Sequence, residues 1–521
     1  MTARFNQGRF NQGPAERITS KQTVSRRHFL EDSMFAAAAA GSAMFGLASS
    51  VAVAKGVAVA KVGANDKLGV CVVGVGGRGW GSHCQEWLKD PRTEIRYLCD
   101  PDRTKEKQCD IVAERQGGVR PKFVTDMRFA FDDGAVDIVS CASSNHWHAL
   151  CGLWAMQAGK DCYLEKPICH NVQEGQALIA AAQKYHKCCQ VGTQCRSNQS
   201  NIEANAFIRS GGIGKVNFAR GLCYRRRKSI GPLGEYSVPE EIDYNLWSGP
   251  APLEPVTRPR FHYDWHWQRL YGNGDLGNQG PHQTDIARWH LGIDQFPNSV
   301  ITYGGRLGYD IEKNNPKFVD AGDTGNIETT IFDYRDKSIV FETYGLDTPE
   351  LRDTKVGVIV HGSKGFLVQQ SYQYSAAFDL EGNKIREFAG GGNHFGNFLD
   401  AVVANDPSLL AADARCGHLS AGMSHVGNIS YYLGEENKVS VDELRQQIQK
   451  IKSLDDNGAT LDRIVEKTRA YGVDLQHTPF SIGPLLKMDP KTETFVDNDG
   501  ANTMLTREYR DPFTVLGSAE V

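Results

Sequence analysis

Apolar positions along the chain fall into two textures. From Lys67 to about Gly192, short apolar runs alternate with stretches of helical period. Leu68–Val73, Glu94–Cys99, Asp137–Cys141, Asp161–Leu164 and Cys189–Gly192 are compact and bounded by turn residues, which predicts buried strands. Ala149–Ala158 and Gln173–Tyr185 carry the spacing of helices. Strand and helix in alternation predict a doubly wound parallel sheet, which binds ligands at the carboxyl ends of its strands. From Thr193 onward the runs lengthen and alternate apolar with polar: Val300–Gly304, Gly325–Tyr334, Ser338–Tyr344 and Val356–His361. A helix over Gly280–Leu291 precedes these strands, and helices over His394–Val403 and His418–Leu433 follow them. The prediction is an α/β chain, with the parallel sheet followed by an α+β domain on a large open, mostly antiparallel sheet. After Glu435 the pattern is mixed and polar, with one amphipathic helix near Leu444–Leu454 and no assigned chemistry.

The first sixty residues have another logic. Ser25-Arg26-Arg27-His28-Phe29-Leu30 is a twin-arginine signature, followed by an Ala-rich apolar stretch from Met34 to about Ala54. Ala52-Val53-Ala54 is a small-x-small cleavage site, and Gly and Ser interrupt the stretch, which favours a cleaved signal over a membrane span. The domain reading is therefore 1–60 for a disordered start plus export signal, 66–192 and 193–435 for two folded domains, and 436–521 for a C-terminal extension. The twin-arginine machinery is the expected export partner and the periplasm the expected destination. Because that machinery moves folded proteins, any cofactor is expected to be loaded before export and held tightly.

The junction after the first apolar run carries the first chemistry. Gly74-Val75-Gly76-Gly77-Arg78-Gly79 fits G-x-G-x-x-G, and a second predicted strand ends in Asp100, about twenty residues on. A dinucleotide needs this arrangement. Gly74 makes the tight turn, Gly76 lets the backbone approach the pyrophosphate, and Gly79 lets the following helix close on the strand. Gly77 and Arg78 complete the loop, and the helix N-terminus receives the phosphate charge. This predicts a Rossmann domain. A carboxylate at Asp100 accepts hydrogen bonds from both ribose hydroxyls and repels a 2′-phosphate, so NAD is expected over NADP; Arg103 nearby works against that preference.

Composition narrows the classes. The net charge of −4 points to no nucleic acid. The one dense basic run, Arg225-Arg226-Arg227-Lys228, reads either as a solvated loop or as a contact for an acidic substrate group. Thirteen cysteines, an odd count without C-x-x-C spacing, read as buried small hydrophobes rather than a disulfide framework.

Two further motifs are Glu165-Lys166-Pro167 at a strand end and Gly274-Asp275-Leu276-Gly277-Asn278-Gln279-Gly280-Pro281-His282-Gln283-Thr284-Asp285 opening a helix. With the glycine loop, they resemble the glucose–fructose oxidoreductase, inositol dehydrogenase and rhizopine catabolism (Gfo/Idh/MocA) family over about residues 66–435. The resemblance implies a C-terminal sheet that often forms a homo-oligomer interface. It also implies a lysine and a D-x-x-x-H pair flanking the nicotinamide and a sugar hydroxyl. Lys166 matches that lysine and His282 that histidine, while Asn278 replaces the aspartate and cannot take a proton. Glu165 belongs to the cofactor motif. Asn145, His146 and His148 follow the fourth strand, where the family's loop passes beside the nicotinamide, which adds Asn145 and His148 to the expected cofactor contacts.

Read without the resemblance, oxidising a secondary alcohol needs a hydride acceptor and a base on the hydroxyl. A desolvated lysine or a histidine suits that base. Asn278, His282, Asp285 and Trp289 share one helical stripe, and Asp285 either orients His282 or pairs with Arg288. The ring-rich segment His262-Tyr263-Asp264-Trp265-His266-Trp267 reads as a carbohydrate platform or as a packed loop. No cysteine or carboxylate spacing completes a metal site around the histidines. The expected function is an exported NAD(P)-dependent oxidoreductase acting on a sugar, cyclitol or glycoside hydroxyl. The alternatives are a redox-assisted glycoside hydrolase or lyase, against which no tyrosine stands near His282 in the sequence, and a non-catalytic carbohydrate-binding sensor.

Overall fold

The computed structural model describes residues 67–309 and 317–521. The twin-arginine signature, its apolar stretch and the cleavage site lie outside the described residues.

Apolar runs buried on both sides make a parallel sheet. Strands β1 (Leu68–Val73), β2 (Thr93–Cys99), β3 (Lys122–Val124), β4 (Ile138–Cys141), β5 (Asp161–Leu164) and β6 (Cys189–Val191) are ordered β3-β2-β1-β4-β5-β6. Every neighbouring pair is parallel. Strand order reverses between β1 and β4, so the glycine loop leaves β1 at the topological switch point. The edge strand β3, short and without a fully buried residue, left no readable apolar run. All thirteen cysteines are free thiols; twelve are buried and Cys416 is half-buried, as their apolar neighbours predict.

The helix after β4 runs Asn145–Gln157, four residues earlier than its periodicity predicts. Asn145, His146 and His148 are therefore buried in its first turn rather than set in a loop.

The second sheet is larger than the sequence pattern indicated. It joins β7 (Val216–Cys223), β8 (Ser299–Gly305), β9 (Ile327–Asp333), β10 (Ser338–Tyr344), β11 (Val356–Gly362), β12 (Gly365–Ser371), β13 (Tyr374–Asp379) and β14 (Lys384–Ala389). Its core order is β14-β13-β12-β11-β7-β10-β9-β8, and only the β7–β10 pair is parallel. The helix Gly274–Leu291 lies on the inner face and begins six residues before the prediction, running through Gly277, Gly280 and Pro281. Burial overrides those poor helix formers, since every residue of the helix except Trp289 is buried. Gly280 is needed there, because a Cβ would stand 2.5 Å from Ser424 Oγ on the helix Ala414–Leu433.

The extension is not separate. Strands β15 (Lys438–Val439), β16 (Phe480–Ile482) and β17 (Leu486–Asp489) lengthen the second sheet, and β18 (Thr494–Phe495) pairs with β17. The helix Val441–Ile448 opens on a Ser440–Glu443 capping box and stops six residues short of the prediction. A second helix, Asn457–Ala470, follows from an Asp456 cap. Leu444, Ile448, Leu461, Ile464 and Val465 from these helices pack on Leu222, Ile301, Ile331 and Val340. Beneath them Arg463 and Arg220 meet the buried Glu342. Residues after Glu435 thus cover the outer face of the sheet at β7, β8, β9 and β10. The last residues return to the first domain, where Phe513, Val515 and Val521 join the core around Trp147 and Leu150.

Candidate active site

The glycine loop divides by what a side chain would meet. Gly74 has φ +80°, and a Cβ on it would lie 2.6 Å from Ser143 N. A Cβ on buried Gly79 would lie 1.8 Å from Gly74 O. At Gly76 and Gly77 a Cβ meets nothing within 4 Å. Two glycines thus close the turn, and two line an open cradle at the start of a helical turn whose first N–H groups lack intrahelical acceptors. This fits a pyrophosphate.

Asp100 ends β2 beside that cradle. Its Oδ2 accepts from Val75 N at 2.8 Å and its Oδ1 from Asp102 N at 3.0 Å. Burial pushes its carboxyl up to about 6, against the pull of those two backbone bonds. Arg103 opens a 3-10 turn capped by Asp102, whose Oδ2 lies 3.1 Å from His262 Nε2.

Glu165 and Lys166 follow β5, and the Lys166–Pro167 peptide is cis. Glu165 Oε1 accepts from Arg78 Nε at 2.6 Å and lies 3.2 Å from His83 Nε2, while Oε2 accepts from Lys166 N at 3.1 Å. Burial alone would raise the Glu165 carboxyl; Arg78, then His83 and Lys166, outweigh it and hold it well below the ordinary carboxylate range. Glu165 therefore locks Arg78 of the glycine loop to the loop that carries Lys166. His83, linked onward to Ser140 Oγ at 2.8 Å, has no sequence signature and was not anticipated.

Lys166 Nζ donates to Asn278 O at 2.7 Å and to Asn278 Oδ1 at 3.0 Å. Burial draws its ammonium down to about 8; Glu165 opposes the fall, and Arg78 and Arg227 add to it. His282 stands one turn along the same helix. Its Nδ1 is buried without a hydrogen-bond partner among the described residues, and burial first, then Lys166, lowers the imidazole to about 3. The three expected catalytic side chains are thus in one place, with a neutral histidine and an orphaned ring nitrogen among them.

Tyr372, on the turn between β12 and β13, packs its ring 5.2 Å from that of His282. Ninety positions separate the two in sequence, and nothing in the local pattern marks Tyr372. No tyrosine stands near His282 in the sequence, but the fold brings Tyr372 beside it. The backbone oxygen of Tyr372 accepts from Asn198 and Asn201 at 2.9 and 2.8 Å, which fixes the turn.

The basic run also resolves. Arg227 is buried, with Nε 3.0 and 2.9 Å from the two oxygens of buried Asp275, and its guanidinium lies over Trp267. It anchors the N-terminus of the helix that bears Asn278 and His282. Asp285 does not orient His282: both its oxygens accept from Arg196, at 2.7 and 2.8 Å, with Arg288 at 3.4 Å. The ring-rich segment is partly packed and partly exposed. Trp267 and Asp264 are packed inward, whereas Tyr263 is exposed, and His266 stacks on Trp265 with ring centres 3.7 Å apart. Burial lowers the His266 imidazole to about 3; the Tyr263 carbonyl opposes the fall, and the Lys166 charge adds to it.

Asn145 and His148, the expected cofactor contacts, and His146 between them all make hydrogen bonds within the protein. Asn145 donates to Asn273 Oδ1 at 3.0 Å. His146 spans Tyr271 O and Trp247 O at 3.3 and 3.1 Å. His148 lies between Pro167 O and Ser143 O at 2.6 and 3.0 Å. Asn145 thus braces the start of the helix bearing Asn278, and His148 braces the Lys166 loop and the strand β4 exit. Among the described residues, no group of three or more His, Cys, Asp or Glu side chains is placed to hold a metal ion.

A Rossmann sheet with an open glycine cradle, and a lysine at the end of its fifth strand, defines an NAD-binding oxidoreductase domain. Residues 68–193 match the oxidoreductase family's NAD-binding Rossmann fold, and residues 226–469 match its C-terminal alpha/beta domain. The chain belongs to the Gfo/Idh/MocA family. It is 26% identical over 206 residues to a glycosyl hydrolase family 109 protein of Shewanella pealeana, covering 37% of this chain and 44% of that protein. It is also 26% identical over 179 residues to levoglucosan dehydrogenase of Pseudarthrobacter phenanthrenivorans, covering 34% and 39%. These matches span less than half of either relative's length. Among solved structures, GenD2 from gentamicin A biosynthesis, in complex with NAD, superposes with a TM-score of 0.51 at 19% identity over 72% of this chain and 96% of that one, which shows the shared fold.

Proposed function

We propose that the protein is an exported NAD-dependent oxidoreductase acting on a hydroxyl of a sugar, cyclitol or glycoside. The observation that carries this reading is the convergence of Lys166, Asn278 and the orphaned His282 Nδ1 beside the glycine cradle. NAD, when bound, supplies the acceptor for the substrate's hydride. The chain supplies the rest. Lys166, with its ammonium drawn down to about 8, exchanges its proton near neutral pH and serves as base for the hydroxyl. Asn278 holds the amine through its backbone and side-chain oxygens and orients it. Neutral His282 offers its free ring nitrogen to a substrate hydroxyl. The exposed face of Tyr263 and the stacked Trp265–His266 pair suit the C–H face of a sugar ring. The test is turnover of a panel of sugars, cyclitols and glycosides, read as reduction of the nicotinamide. Binding without reduction would overturn the reading in favour of a sensor.

A second reading has one specific support. Tyr372 beside His282 supplies a further proton-carrying group at the site. Transient ring-carbon oxidation, elimination of the aglycone with its proton, addition of water to the unsaturated sugar and return of the hydride would then give glycoside hydrolysis without net redox change, a cycle matched to a tightly held cofactor outside the cell. Aglycone release without accumulated NADH distinguishes it from simple dehydrogenation. Export through the twin-arginine route rests on Arg26 and Arg27, and its test is the location of the arginine-pair variant.

A further inference from the structure

The last residues of the extension, to which the sequence assigned no chemistry, cross the seam between the Lys166 loop and the ring-rich segment. Arg507 Nη1 donates to Leu270 O at 3.0 Å and lies 3.3 Å from His170 Nδ1. Leu270 lies three residues after the ring-rich segment, and His170 four residues after Lys166. Since Arg507 can only donate, His170 Nδ1 is the acceptor; His170 Nε2 then carries the hydrogen and donates to Gly272 O at 3.3 Å. Burial, with Arg507 second, keeps His170 well below the ordinary histidine range, which suits this neutral tautomer. Asn273 Nδ2 donates back to His170 O at 3.0 Å, immediately before the helix bearing Asn278 and His282.

The neighbouring tail residues repeat the pattern. Asn171 Nδ2 donates to Tyr509 Oη at 2.9 Å, and Tyr509 Oη donates to Glu174 Oε1 at 3.1 Å. Arg510 donates to Asn245 O and Gly249 O at 2.8 and 3.0 Å. One side of each contact belongs to the segment after Lys166 or to residues 245–272, and the tail joins the two.

We propose that Arg507 is a positioning residue. Through His170 and Leu270 it clamps the Lys166 loop against the ring-rich segment and the start of the His282 helix, setting the distance between Lys166 and the substrate face. The proposal rests on the reading of Lys166 as the base, and it adds that the tail is part of the active-site scaffold.

The test is Arg507→Met in the full-length protein, compared with wild type and Arg507→Lys, by hydrogen exchange and steady-state kinetics. Faster exchange is expected in residues 166–171 and 262–273, with the glycine loop unchanged and NAD affinity within about twofold. Turnover should fall about tenfold to a hundredfold, the scale of an ångström-level misplacement, with a smaller change in KM. Arg507→Lys, which keeps one donor and the charge, should recover part of the loss. Should Arg507→Met fail to fold, Arg507→Gln, which keeps a donor without the charge, carries the same comparison. Unchanged exchange in both segments overturns the clamp, and faster exchange with wild-type kcat overturns its role in positioning. Failure of the base reading would appear separately, as full turnover in Lys166→Met, and leaves the exchange result to stand alone.

Discussion

Gly76 and Gly79 belong to one motif, yet the structure predicts opposite consequences for filling them. A Cβ on Gly76 meets nothing within 4 Å, and the residue's φ lies outside the left-handed region, so Gly76→Val should leave stability within about 0.5 kcal/mol of wild type. The space it fills is the pyrophosphate cradle. Displacing the phosphates from two backbone N–H donors removes two charge-assisted hydrogen bonds at about 1.5–3 kcal/mol each, which weakens NAD binding by a factor of roughly 10² to 10⁴. A Cβ on Gly79 would stand 1.8 Å from Gly74 O and 2.9 Å from Gly74 C, so backbone must move. Overpacking of this kind costs about 1–3 kcal/mol, a fall in Tm of roughly 2–12 °C at the sensitivity of a domain of this size. The assay is a thermal melt of each variant without cofactor, followed by NAD titration. Gly76→Val should melt like wild type and fail to bind, whereas Gly79→Ala should melt early. Wild-type NAD affinity in a folded Gly76→Val protein would refute the placement of the pyrophosphate, and equal melting of both variants would refute the packing argument.

The base should set the acid limb of the pH–rate profile. Lys166 must lose its proton to act, so kcat/KM should fall about tenfold per pH unit below about 8 and level off above it; a limb near 3 would instead assign the base to His282. Asn278→Asp places a carboxylate where an amide oxygen now stands 3.0 Å from Nζ. The added negative charge favours the ammonium, so the limb should move upward by about 1–3 pH units, and an unmoved limb in an active variant would take position 278 off the proton path. Arg227→Met leaves Asp275 buried without its partner and should cost about 3–5 kcal/mol in denaturant unfolding; a loss under 1 kcal/mol would mean water reaches the pair. Replacing Arg26 and Arg27 together by lysine should leave precursor in the cytoplasm, and normal export would remove the basis for a preloaded cofactor.

What could be read from the chain follows from the range of the interactions. The glycine loop and Asp100 are local, because each strand end and its following turn sit within a few residues, so spacing alone places them; the E-K-P turn is legible through the family resemblance. Helix Gly274–Leu291 was shortened in the reading because Gly277, Gly280 and Pro281 lower local propensity, while its stability comes from burial against Phe341 and Ser424. Arg227 sits in a run that reads as solvated, and only the approach of Asp275 from a different element shows it as buried. Tyr372 and Arg507 reach the site from a hairpin turn and from the tail. Neither carries a local pattern, since contacts that distant are set by tertiary packing alone. The extension was called mixed and polar because its helices are amphipathic and short; their apolar faces are legible only once the outer face of the second sheet is known to need covering.

The central claim is that Lys166, beside a bound nicotinamide, takes the proton from a substrate hydroxyl. Its most direct measurement is nicotinamide absorbance in purified wild-type and Lys166→Met protein as sugars, cyclitols and glycosides are added, with aglycone release followed in parallel. The account predicts substrate-dependent reduction, transient if the substrate is cleaved, in the wild type, and a loss of about 10² or more in Lys166→Met with NAD still bound. Reduction at the wild-type rate in Lys166→Met, or no response of the NAD-loaded wild-type protein to any hydroxylated substrate, would contradict it.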